Sequence, residues 1–227
     1  MSHAIEHNHG HGNEEVFEQF ENIDQQQRTY VLGMWSFLVT EVMFFGVIFM
    51  AYFLYRWKYQ AQFYHLHEEL NIALGGLNTA NLLFSSLAVV LAVRHAQLGE
   101  NKKVIKWLGV TILCGFIFMG IKAIEYKAKY DHGIFMLIPG GTFEWHDPMV
   151  NAGIAKLFFS LYFAATGLHG VHVVIGIIIF TVLAGLYAKN HKLVRNDYIP
   201  LELCGLYWHF VDLVWIFLYP LFYLIPK

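Results

Sequence analysis

His209 and Asp212 lie three residues apart in the apolar run Leu206–Pro226, LYWHFVDLVWIFLYPLFYLIP. On a helix that spacing puts both side chains on one face. A titratable pair in hydrocarbon costs several kcal/mol unless it faces protein or water, so a structural polar pair, met by a neighbouring helix, is expected here. His169 and His172, in FAATGLHGVHVVIG, share a face in the same way. Two imidazoles at that spacing could ligate a metal or a haem, and His95 and His209 would raise the number to four. Histidines that bond to carboxylates or carbonyls across a helix interface are the plainer and commoner case, and no metal site is expected. Glu41, in WSFLVTEVMFFGVIF, sits about eleven residues into an apolar run, roughly 16 Å deep at 1.5 Å per residue. A carboxylate at that depth must be protonated, paired or wetted internally. That suits a proton relay or a bond to a lipid headgroup, and equally a neutral acid that joins two helices.

Other polar residues read as packing. Asn78, Asn81 and Ser85 fall at i, i+3 and i+7, among Gly75, Gly76, Thr79 and Ser86, a composition that lets helices approach and bond across their interface. Lys122 and Glu125 are expected to form a helix-end ion pair, with Lys122 free to snorkel. Trp208, Trp215, Tyr207, Tyr219 and Tyr223 bracket the last run, as aromatic residues do at membrane–water boundaries. No phosphate loop, nucleophile elbow, HExxH or CxxC occurs, and no catalytic residue is assigned.

The elements that must hold these residues are membrane helices. Of 227 residues, 57% are hydrophobic and 14% charged, against about 25% charged in soluble domains. The net charge of -2 offers no basic patch for nucleic acid. Cys114 and Cys204 lie inside apolar runs and build neither a disulfide framework nor a zinc spacing. Five runs near 30–55, 72–97, 104–126, 153–188 and 201–225 reach the roughly 20 residues a bilayer helix needs. The chain is therefore read as all-α, a polytopic membrane helix bundle with five transmembrane helices over 30–227. The fourth run is long enough for a span plus an extension outside the hydrocarbon. Residues 1–29 are polar and acidic, with a small tract of His3, His7, His9 and His11. They read as a flexible tail, with no cleaved signal peptide. With the N-terminus cytoplasmic, that side collects Arg28, Arg94, Lys102, Lys103, Lys106, Lys189, Lys192 and Arg195, which favours N-inside and C-outside.

Four segments bear a resemblance to a known family. They are GMWSFLVTEVMFFG at Gly33–Gly46, LNTANLLFSSLAVVLA at Leu77–Ala92, FAATGLHGVHVVIG at Phe163–Gly176 and YWHFVDLVWIFLYP at Tyr207–Pro220. KAIEY at Lys122–Tyr126 is a weaker fifth. The chain resembles subunit III of the haem-copper terminal oxidases, cytochrome c oxidase in particular, in its five-span bacterial form. The resemblance implies an accessory subunit of the bacterial inner membrane with no redox centre of its own. It would dock on subunit I, which holds haem and copper, alongside subunit II and bound phospholipid, with a larger respiratory supercomplex open to it. By the same resemblance, Glu41 stands at the family's buried, carbodiimide-reactive carboxyl. His172 is the second histidine of its HGxH segment, which is associated with phospholipid. The implied roles are lipid retention, upkeep of proton uptake by subunit I and protection of its active site in turnover. The mitochondrial form has two further N-terminal spans, and the family's lipid cleft lies between those and the rest.

Other readings remain. The matching subunit of a quinol oxidase would have the same fold and differ only in electron donor. A stand-alone b-type cytochrome would use His95, His169, His172 or His209, and a proton channel would be built around Glu41.

Overall fold

The computed structural model describes residues 19–134, 143, 145, 147–191, 194 and 198–224. The tract His3–His11 and the basic residues Lys192 and Arg195 lie outside the described residues. Helix α1 runs over Ile23–Lys58, the short α2 over Gln60–His67, α3 over Ile72–Gln97, α4 over Asn101–Asp131, α5 over Ala152–Ala188 and α6 over Ile199–Tyr223. All described elements are helical, and five of the six are long and apolar enough to cross a membrane. Three of them start on asparagine. The side chains of Asn22, Asn71 and Asn151 accept from Gln25 N at 2.8 Å, Leu74 N at 3.1 Å and Gly153 N at 2.8 Å. Each satisfies a backbone donor that the first helical turn leaves without a partner. The first of these caps differs from the expected flexible tail over 1–29. The helix already begins at Ile23, because Asn22 supplies a start signal that hydropathy does not register.

The fourth apolar run is one continuous helix of 37 residues, so it spans and extends without a break. Helix α3 packs on α4 and α6, and α5 packs on the same two, so these four close a ring. Helix α1 lies outside it, against α5 and α6. The most apolar window of α6 is 56% buried and that of α1 only 17%. The last helix is therefore the centre of the bundle and the first its periphery. The α1 seam is narrow. Leu38, Phe45 and Tyr52 are its buried apolar residues, spaced by seven, and Glu41 falls on the same line three after Leu38. A seven-residue repeat of this kind is what one helix presents to a partner along a single seam.

Packing at the centre depends on close backbone approach. A Cβ on Gly176 would stand 2.6 Å from the Trp208 ring, and one on Gly75 2.7 Å from the Tyr219 ring. Glycine at these two positions lets aromatic side chains of α6 lie flat on α5 and α3. Helix α2 closes one end of the ring through Phe63, whose ring meets Phe158 at 5.2 Å and Tyr52 at 5.7 Å.

Candidate functional site

Two polar arrangements stand out, one closed and one open. In the open one, α1 brings Glu41 against α5, and Glu41 Oε2 lies 3.0 Å from His172 Nε2. Both side chains keep contact with the outside, at 18% and 13% exposure, so this pair is reachable. His172 Nδ1 is 2.8 Å from the Leu168 carbonyl oxygen, which can only accept. Nδ1 therefore carries the proton and donates it. A bond between Nε2 and Glu41 then requires one more proton between them, held either by the carboxyl or by the ring. The imidazole is further fixed by the Phe45 ring at 5.3 Å, and the His172 carbonyl accepts from the Tyr207 hydroxyl at 3.0 Å. The result is a pre-oriented single-proton pair at the rim of the bundle, where α1 meets α5.

The closed arrangement lies inside the ring. Lys122 Nζ donates to Glu125 Oε2 at 2.8 Å, to the Tyr223 hydroxyl at 2.6 Å and to the Tyr162 hydroxyl at 3.3 Å. Tyr162 donates to Tyr223 at 2.9 Å, and Tyr223 donates to Glu125 Oε1 at 2.6 Å. Three ammonium protons and two hydroxyl protons thus all find acceptors. The Trp215 ring lies 4.6 Å from the same Nζ, within cation–π range. The expected Lys122–Glu125 pair exists, but as an inward one. Lys122 does not snorkel, because Tyr162 of α5 and Tyr223 of α6 offer it acceptors inside the protein. Next to this cluster Tyr126 and Thr166 join α4 to α5 at 2.6 Å. Lys129 bonds the Glu69 carbonyl, which ties the end of α4 to the segment before α3.

The aromatic residues of α6 also correct the sequence reading. Trp208, Trp215, Tyr207 and Tyr223 are buried against protein rather than on the outer surface of the bundle. Trp208 Nε1 donates to Ser85 at 3.0 Å and Trp215 Nε1 to Thr79 at 3.1 Å. The central position of α6 is the reason, since a helix surrounded by others presents its aromatic residues to protein on most sides.

His209 and Asp212 are not bonded to each other. His209 Nδ1 pairs with Ser86 Oγ of α3 at 2.6 Å. Asp212 lies near enough to feel the Ser86 hydroxyl, yet neither of its carboxyl oxygens reaches hydrogen-bond geometry. The expected direct pair is replaced by two residues flanking Ser86. Both point toward α3, so the shared face is real while the bond goes across it. Asn81 Nδ2 donates to the Cys114 carbonyl at 2.8 Å, a cross-link between α3 and α4. Asn78 and His169 are buried, with no hydrogen bond from their side chains to described groups. His169 is held between the Phe118 ring at 5.4 Å and the Trp215 ring at 5.1 Å.

The four imidazoles considered for a haem or metal face different partners. His95 bonds Glu100 at 2.6 Å, His172 meets Glu41, His209 meets Ser86, and His169 lies edge-on to Phe118 and tilted against Trp215. Among the described residues no three His, Cys, Asp or Glu side chains gather around a common metal position. Sequence reasoning missed Tyr162 and Thr166, and Tyr223 as a bonding partner, while Ser86, expected only as an interface residue, meets His209. A tyrosine in an apolar run carries no mark of which neighbour it will meet.

Fold and polar sites together define an integral membrane helix bundle. The family model for cytochrome c oxidase subunit III matches residues 14–226. Curated relatives agree. The chain is 31% identical to cytochrome c oxidase subunit 3 of Synechocystis sp. over 86% of this chain and 75% of the relative. It is 30% identical to the protein of the same name from Bacillus subtilis over 90% of each. It is 30% identical to that of Latimeria chalumnae over 85% of this chain and 68% of the relative. The chain belongs to the cytochrome c oxidase subunit III family. It is an integral membrane subunit of a haem-copper oxidase complex.

Proposed function

We propose that this chain is the non-redox accessory subunit of a cytochrome c-driven oxidase. In this reading haem and copper reside in subunits I and II, and this chain packs directly on subunit I in the bacterial inner membrane. Its N-terminus is cytoplasmic and its C-terminus outside. The Glu41–His172 pair retains phospholipid and supports proton uptake by subunit I. The observation that carries this reading is the 3.0 Å approach of Glu41 to His172 together with the partial exposure of both side chains. A pre-oriented acid–imidazole pair at a rim can bond a phosphate or ester oxygen, or pass a proton, without any rearrangement of the bundle. A large apolar surface on α1 supports packing against neighbours, with Leu32, Met43, Val47 and Trp57 each more than 65% exposed. A quinol oxidase would use the same subunit. The reading favours cytochrome c because the relatives above carry that name, and a partner subunit II without a dinuclear copper motif would reverse the choice.

The test is Glu41→Ala in the assembled oxidase, with oxygen uptake followed through repeated turnover and bound lipid counted. The initial rate should persist, while activity decays sooner and lipid is lost. Abolished oxygen reduction in a fully assembled complex would defeat the proposal.

A further inference from the structure

Helices α3 and α6 leave a groove of about 500 Å³ between them, far along the chain from Glu41. It lies at the end of the bundle where α3 stops and α6 starts, the end that also carries Lys102, Lys103 and Lys106 on α4. Its mouth is polar. Arg94 and Gln97 come from the last turns of α3, and Glu202 from the first turn of α6. All three are exposed. Arg94 and Glu202 line one groove, yet neither makes an ion pair or side-chain hydrogen bond with a described residue. Below the mouth the walls turn apolar, with Val90 and Val93 on one side and Leu206 on the other. Gly205 forms the floor, where a Cβ would stand 3.1 Å from Val89. His209 closes the inner end, with Nδ1 already engaged by Ser86. From Glu202 to His209 is seven residues, so the groove runs about 10 Å along the helix axis.

We propose that this groove is a binding site for a zwitterionic phospholipid. A cation and a carboxylate on opposite walls of one groove, each without a partner among the described residues, match a headgroup that carries phosphate and ammonium together. Arg94 takes the phosphate through its planar donor fork, Glu202 takes the ammonium, and an acyl chain lies along Val90, Val93 and Leu206. The arrangement selects against purely anionic lipids. The basic residues of this end attract any anionic headgroup, but Glu202 repels one that brings no positive charge. A soluble anion would have no use for the apolar walls. The site is separate from the Glu41–His172 pair and does not depend on the role given to that pair.

The test uses the purified oxidase complex, stripped of lipid in detergent and then given equal amounts of phosphatidylethanolamine and phosphatidylglycerol, with bound lipids counted by native mass spectrometry. Wild type should retain phosphatidylethanolamine in preference. Glu202→Gln should lower the ethanolamine-to-glycerol retention ratio about tenfold. Arg94→Gln should lower retention of both lipids. The double exchange Arg94→Glu with Glu202→Arg should restore the preference, which a merely folding-related loss would not do. An unchanged ratio in Glu202→Gln would overturn the proposal. So would a Val93→Cys variant that cross-links to a partner subunit in the intact complex, since a protein segment would then fill the groove.

Discussion

Two acid–base pairs of similar chemistry sit in this bundle in opposite settings. Lys122 and Glu125 lie within the four-helix ring, at 7% and 5% side-chain exposure, and their protons and lone pairs are met by Tyr162 and Tyr223. Glu41 and His172 lie at the rim, joined by one bond and partly open. A charge that is buried and fully bonded is costly to disturb, whereas one at a rim can exchange partners cheaply. The closed cluster therefore fixes how α4, α5 and α6 meet. The open pair is the one with capacity left for a ligand or a proton.

The largest effect expected from this difference is on the closed side. Lys122→Met leaves Glu125 and two tyrosine hydroxyls with an incomplete set of partners, and should cost about 3–5 kcal/mol. In detergent the thermal transition should fall steeply or the subunit should fail to assemble. Lys122→Met combined with Glu125→Leu should recover much of the loss, because no lone charge then remains. A single variant as stable as wild type would erase the distinction between the two regions.

Next comes the close approach that centres α6. Gly176→Ala places a methyl against the Trp208 ring and should destabilise by about 1–3 kcal/mol, as overpacking does. Gly33→Ala, on α1 where nothing lies within 4 Å of the added carbon, should leave the transition unmoved. Comparable losses in the two would contradict a tightly packed core beside a loosely held first helix.

The rim pair should respond less in stability. Glu41→Gln keeps a hydrogen-bonding group facing His172 Nε2, since an amide can donate or accept, so its thermal transition should stay within about 1 kcal/mol of wild type. Glu41→Ala, which removes that group, should lose more. Equal behaviour of the two would show that the bond to His172 carries nothing.

The smallest effect lies outside the spans. The Lys103 ammonium, and after it His95, hold the Glu100 carboxyl below the usual carboxylate range. A lowered folded-state value contributes stability that is present above the ordinary carboxylate range. It is lost as pH falls from there through the depressed value. Glu100→Gln should remove this contribution, so the variant should be slightly less stable than wild type near neutrality and the difference should close as pH falls. Melting curves of wild type and variant that stay parallel down to acid pH would count against it.

Much of the fold was legible in the apolar runs. Runs longer than a bilayer is thick can only become helices, because backbone groups in hydrocarbon must bond within their own segment. Five runs therefore meant five spans, and Glu41 and His172 could be singled out as polar residues where apolar ones are cheap. Spacing also put His209 and Asp212 on one face, since the helical repeat is a local property.

Which neighbour each face meets was decided by the tertiary structure. Hydropathy marks all five runs as apolar enough to cross a membrane, and it does not say that the last lies at the centre or that its tryptophans and tyrosines point into protein. Only the ring of α3, α4, α5 and α6 turns Lys122 inward, sends His209 to Ser86 and sets Asp212 beside the same serine. Only the docking of α1 along its seven-residue seam brings Glu41 to a histidine 131 positions away. Segment length and polarity are properties of a single helix. Pairing across helices depends on rotation and height relative to the others, and several faces were chemically able to serve as partners.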